Sequence, residues 1–196
     1  MSACSRRASS ALRLRVEELG DDLINELARL AIEERSRRAR EVLAARSVLP
    51  SALLARVART IAAGRWYLTD ESRALFTRSP LPVEVVDALA AGIASASKEW
   101  LVQYLGLLDG CVATPALDAA LAARMGLESR LSNLVALILV PRTSAGRAAQ
   151  LEALPTDLAR QAEAGRILML RAAFEALQSD AAARERLVQI LRAEAS

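Results

Sequence analysis

The 196-residue chain contains no histidine. This excludes histidine-based acid–base catalysis, Ser–His and Cys–His nucleophile pairs, and imidazole metal sites. The two cysteines, Cys4 and Cys111, are too few for a cysteine-rich zinc site or a disulfide scaffold. They read as free thiols of a reducing compartment, with one bridge left open. Cys111, between Gly110 and an apolar stretch, reads as a small buried hydrophobe. A Gly-rich phosphate loop, a dinucleotide fingerprint and a calcium loop are all missing. Asp21-Asp22 could imitate a magnesium-binding pair, but behind Gly20 it reads as acid at a helix start, where the dipole favours it. Neither enzymatic activity nor a cofactor or metal is expected.

Long apolar runs are missing too. A membrane span needs about 18 or more apolar residues, and the run from Leu131 to Val140 is about half that. The first 16 residues hold four Arg, four Ser and no acid, a composition with the look of a transit peptide, and Arg6-Arg7 imitates a twin-arginine signal. An apolar stretch should then follow, yet Glu17, Glu18, Asp21 and Asp22 come next. Residues 1–16 are therefore expected to form a basic, partly disordered arm. Residues 17–196 are expected to form a single all-helical domain, located in the cytoplasm.

Lysine is almost absent: Lys98 stands beside 25 arginines. The basicity is N-terminal, with 13 Arg against 8 acids over residues 1–65, and 13 bases against 15 acids in the remainder. This asymmetry could mark a nucleic-acid or acidic-partner surface.

The residues that are abundant favour helix. Just over half the chain, 53%, is hydrophobic, mostly Ala and Leu, which lose little side-chain freedom in a helix. The fold class is all-α: nine or ten helices, packed as a compact globule or as an irregular helix-pair stack. The most strand-like run, Leu134 to Val140, is better read as buried helix. A long helix is expected from Asp21 to about Arg46, with Glu33–Arg37 and Glu34–Arg38 paired four apart on a projecting polar half. Pro50 opens the next helix and Gly64 closes it; Thr69-Asp70-Glu71 caps a short helix through Phe76. Thr114-Pro115 is a strong start signal. Further on, a helix over Ala148–Leu154 and a longer one opened by Thr156-Asp157 are predicted, with Ser179-Asp180 capping the last.

Aligning Pro50 with Pro82, 32 residues on, superposes Leu53 on Val85, Leu54 on Val86, Val57 on Leu89, Ala58 on Ala90 and Ile61 on Ile93. Pro115 continues the series weakly. A period of this length is typical of stacked helix pairs.

Two groups of residues are candidate sites. Five of the six aromatics, Trp66, Tyr67, Phe76, Trp100 and Tyr104, fall within 39 residues. They either fill the core or line a partner groove, with Arg65 and Lys98 beside the tryptophans for cation–aromatic contact. Arg35, Arg37, Arg38, Arg40 and Arg46 form either a phosphate-contacting strip or a solvated face neutralised by Glu33, Glu34 and Glu41. If helix runs unbroken here, Arg35, Arg38 and Arg46 share one side.

The leading functional expectation is a non-enzymatic helical protein–protein interaction module, whose partner is another protein or a second copy of the chain. The alternatives are a nucleic-acid-binding subunit using the Arg-rich N-terminal region and, third, an apolar-ligand carrier or enzyme using the aromatic cluster.

Overall fold

A computed structural model describes residues 19–46, 49–64, 73–76 and 80–194. Among these residues there are ten α-helices and no strand: α1 (Asp21–Ile32), α2 (Arg37–Ala45), α3 (Ser51–Ala62), α4 (Val83–Ile93), α5 (Lys98–Leu107), α6 (Pro115–Leu127), α7 (Leu131–Leu139), α8 (Ser144–Ala159), α9 (Glu163–Ala176) and α10 (Ala181–Glu194). The N-terminal arm and the caps Thr69, Asp70 and Glu71 lie outside the described residues.

Local chemistry sets most of the boundaries. Pro50 and Pro82 stand at the N-caps of α3 and α4. Thr114 caps α6 by accepting the Leu117 N–H (3.1 Å), with Pro115 at the first helical position. Asp180 accepts the Ala183 N–H (2.9 Å) at the start of α10. After α3 the chain turns at Gly64 with φ +68°, a left-handed conformation that glycine adopts without strain.

Two expectations are corrected. The helix predicted over 21–46 is broken into α1 and α2. Arg35 takes φ +53°, the Ser36 N–H reaches back to the Leu30 carbonyl (3.0 Å), and the Ser36 hydroxyl accepts the Ala39 N–H (3.3 Å). The polar half therefore does not project; it folds back, so that buried Ala39 and Leu43 pack α2 onto α1. The second correction concerns Thr156-Asp157, which opens no helix. Leu151, Leu154 and Leu158 lie on one buried face and carry α8 through Pro155, and the break comes after Ala159.

Helix contacts run in two rows. One holds α3, α4, α6, α8 and α10, each packed on the next; the other holds α5, α7 and α9. Short connections pair α4 with α5, α6 with α7 and α8 with α9 across the rows. The proline register identified in the sequence is the first row: α3, α4 and α6 begin at Ser51, Val83 and Pro115. All ten aligned stripe residues are buried. The result is close helix–helix packing with one continuous apolar core from Ile24 to Leu187. Among the described residues no helix is long and apolar enough to cross a membrane.

Candidate functional site

The aromatic residues divide. Trp66 and Tyr67, with Arg65, lie outside the described residues. Phe76 is buried in the core. Trp100 and Tyr104, one turn apart on α5, line a cavity of about 400 Å³ with the C-terminal end of α3 and with Gly92, and Phe76 is not among its lining residues. The Tyr104 hydroxyl donates to the Ile61 carbonyl, satisfying an end of α3, and burial pushes its pKa up. This approach requires glycine at 92, where a Cβ would lie 2.7 Å from Tyr104 Cε1 and 2.9 Å from Ala62 Cα. Lys98 Nζ donates to Ser129 Oγ (3.3 Å).

The arginine strip is rearranged by the turn after α1. Arg35 precedes α2, so it does not share a helix face with Arg38 and Arg46. The expected Glu33–Arg37 and Glu34–Arg38 pairs are replaced by others. Glu33 meets Arg56 (3.0 Å) and Arg29 (3.7 Å), Glu34 meets Arg29 (3.0 Å), and Arg37 meets Glu41 (2.8 Å). Arg40 donates to the Arg35 carbonyl (3.3 Å). Arg37 and Arg38 are exposed, while Arg40 and Arg46 are partly covered. Arg35 instead faces a shallow groove with Arg56 and Arg59.

Two polar clusters and one apolar face were not anticipated from the sequence. In the first cluster, Arg124 donates to the Ala96 carbonyl (2.8 Å) and to Glu128 (3.2 Å), and Asn133 bridges the Lys98 carbonyl (3.1 Å) to Glu128 (3.2 Å). The Ser129 and Arg130 N–H groups, each at 2.9 Å, complete the Glu128 carboxylate. Burial alone would raise the Glu128 pKa. The hydrogen bonds from Arg130, Asn133, Ser129 and Arg124 outweigh it and hold the pKa at about 2. This cluster closes helix ends.

The second cluster lines a cleft of about 430 Å³ between α6 and α8. Its walls are small: Ala119, Ala122 and Gly126 on one helix, Gly146, Ala149 and Ala153 on the other. Asp118 takes the Thr143 hydroxyl and, at 3.3 Å, its N–H, at the start of α8. Arg142 and Gln150 both donate to the Met125 thioether, at 3.3 and 3.8 Å. Burial, with the neighbouring Arg147, lowers the Arg142 pKa to about 10 against the pull of Asp118.

The apolar face is on α9. Gly165, Met169, Ala172 and Ala173 are buried on one side. On the opposite side Ile167 (48% exposed) and Phe174 (40% exposed) join Leu170 and Arg171 along a shallow groove bounded by Arg184 of α10. Cys111 is a buried free thiol whose pKa is raised to about 11, chiefly by burial; Cys4 lies outside the described residues. Among the described residues no group of three His, Cys, Asp or Glu side chains gathers where it could hold a metal.

Set against known proteins, the chain matches no family model, no curated protein and no solved structure.

Proposed function

We propose that this protein is a helical interaction module that receives an amphipathic helix of a partner protein on the outer face of α9. The observation carrying this reading is that Ile167 and Phe174 stand about half exposed on the side of α9 opposite its buried face. Large apolar side chains left exposed along a groove with a polar rim mark an interaction surface. In the second row α5 is followed by α7 and α7 by α9, but among the described residues no helix follows α9. Exposed Ile167 and Phe174, with Leu170 half-buried between them against the core, recur at helical spacing, the pattern by which one helix accepts another. Arg171, Glu175, Gln178 and Arg184 give the groove a polar rim, as expected of an interface that forms and separates in water.

The test is the double substitution Ile167→Glu with Phe174→Glu, at two half-exposed positions whose replacement spares the core. Circular dichroism should be unchanged. A partner recovered from source lysate by the wild-type chain should be lost by the variant. Recovery of the same proteins by both chains would refute the reading. A mass in solution that falls from dimer to monomer on substitution would assign the face to a second copy instead.

The nucleic-acid reading has less support. Glu33, Glu34 and Glu41 interleave with the N-terminal arginines and engage Arg29, Arg56 and Arg37, whereas a dedicated phosphate-contacting strip would usually lack such acids.

A further inference from the structure

In the cleft between α6 and α8, two donors meet on one weak acceptor, while the carboxylates of Asp118 and Asp157 are turned to other partners. Arg142 and Gln150 both direct an N–H at the Met125 sulfur, a weak acceptor. Arg142 gives a further hydrogen bond to the Leu137 carbonyl (3.2 Å), but among the described residues its buried Nε has no partner and its guanidinium no ion pair. An ionised group taken out of water without a counter-charge is strongly disfavoured. The nearby acids are already engaged: Asp118 holds Thr143, and Asp157 is paired with Arg160. Arg147, buried behind Gln150, has Asp118 and Asp180 as its nearby counter-charges. Arg142 and Arg160 balance Asp118 and Asp157 along the cleft, but both carboxylates are held by other partners.

The orientation of Gln150 is fixed from behind. Arg147 donates to its Oε1 (2.5 Å) and also to the Ile138 carbonyl (3.3 Å), so the Gln150 amide presents its NH₂ towards Met125 and the cleft. The side walls are the methyl groups of alanines and the backbone of Gly126 and Gly146, which offer apolar surface and no further donors.

We propose that this cleft binds a small organic carboxylate, with its oxygens on Arg142 and Gln150 and its carbon body along the alanine walls. The negative charge gives the Arg142 guanidinium the ion-pair partner it lacks among the described residues. The carboxylate supplies a strong acceptor for the Gln150 amide and an ion-pair partner for Arg142, and the volume suits a body of a few carbons.

The experiment uses the full chain labelled with ¹³C at its methionine methyl groups and titrated with benzoate, 3-methylbutanoate, their primary amides and inorganic phosphate. Met125 lines the cleft and Met169 is fully buried elsewhere, so the pair provides signal and control. The carboxylates should shift Met125 and leave Met169 in place, and the amides should bind about tenfold more weakly or worse. Arg142→Met should abolish the shift and Arg142→Lys restore part of it. Because Arg142→Met could impair folding, Ala153→Leu at the exposed lip of the cleft provides a second route, blocking entry without touching the buried charges. A Met125 signal unmoved by either carboxylate, or moved equally in Ala153→Leu, would overturn the proposal. So would phosphate binding where both carboxylates fail.

Discussion

Arg124 and Glu128, one turn apart at the end of α6, form an ion pair that, with Asn133, ties together the ends of four helices. The Ala96 carbonyl follows α4, the Ser129 and Arg130 N–H groups connect α6 to α7, and Asn133, bonded to Glu128, carries the contact on to the Lys98 carbonyl of α5. The pair joins the two rows at their midpoint.

Glu128→Gln should therefore destabilise the fold by about 2–4 kcal/mol near neutral pH, since it removes one partner of a buried charge pair. The pH dependence follows from the lowered pKa. An unfolded glutamate titrates near about 4.3, whereas Glu128 is held at about 2 in the fold. Its contribution is complete above the unfolded value and is lost as pH falls from about 4 to about 2. Urea melts across that range should bring the wild-type and Glu128→Gln midpoints together.

Gly92→Ala should cost about 1–3 kcal/mol, because the added Cβ meets the Tyr104 ring and the Ala62 backbone. Tyr104→Phe should cost less, about 0.5–1.5 kcal/mol, through loss of the hydrogen bond to Ile61. Chemical denaturation of the two variants measures both.

Gly146 and Asp118 should be coupled. A Cβ at 146 would collide with the Asp118 carboxyl group and push it off Thr143. Gly146→Ala alone should destabilise by about 1–2 kcal/mol. Combined with Asp118→Ala, its effect should be much smaller, so a double-mutant cycle should give a clear interaction energy.

Arg35→Gly should stabilise the chain by about 0.5 kcal/mol. Arg35 sits in the left-handed region, where a side chain costs about 1–2 kcal/mol and glycine only its smaller entropic penalty. A rise in the thermal midpoint checks this.

The sequence disclosed those features that depend on neighbouring residues. Thr114-Pro115, Gly64 and Asp180 act on the backbone within four residues, and the Pro50–Pro82 register follows from the stripe each helix must bury. The turn at Arg35 carries neither glycine nor proline, so an unbroken helix was the natural expectation; tertiary packing of Ala39 and Leu43 overrode it. Thr156-Asp157 resembles a cap, and only the burial of Leu158 beyond Pro155 reveals that the helix continues. The cleft was hidden because Met125, Arg142 and Gln150 come together through the fold. The matched small residues at 119, 122 and 126 and at 146, 149 and 153 were its available signal. On α9, Ile167, Leu170 and Phe174 beside Met169, Ala172 and Ala173 already implied two apolar sides.

The central claim, that the outer face of α9 receives a helix, is tested most directly by photo-crosslinking from position 171, between Ile167 and Phe174. A benzophenone side chain there should join to an amphipathic helical segment of another protein, and the product should disappear with Ile167→Glu and Phe174→Glu. The same group at exposed Arg186 on α10 should give no such product. Equal labelling from both positions, or none from 171, would contradict the account.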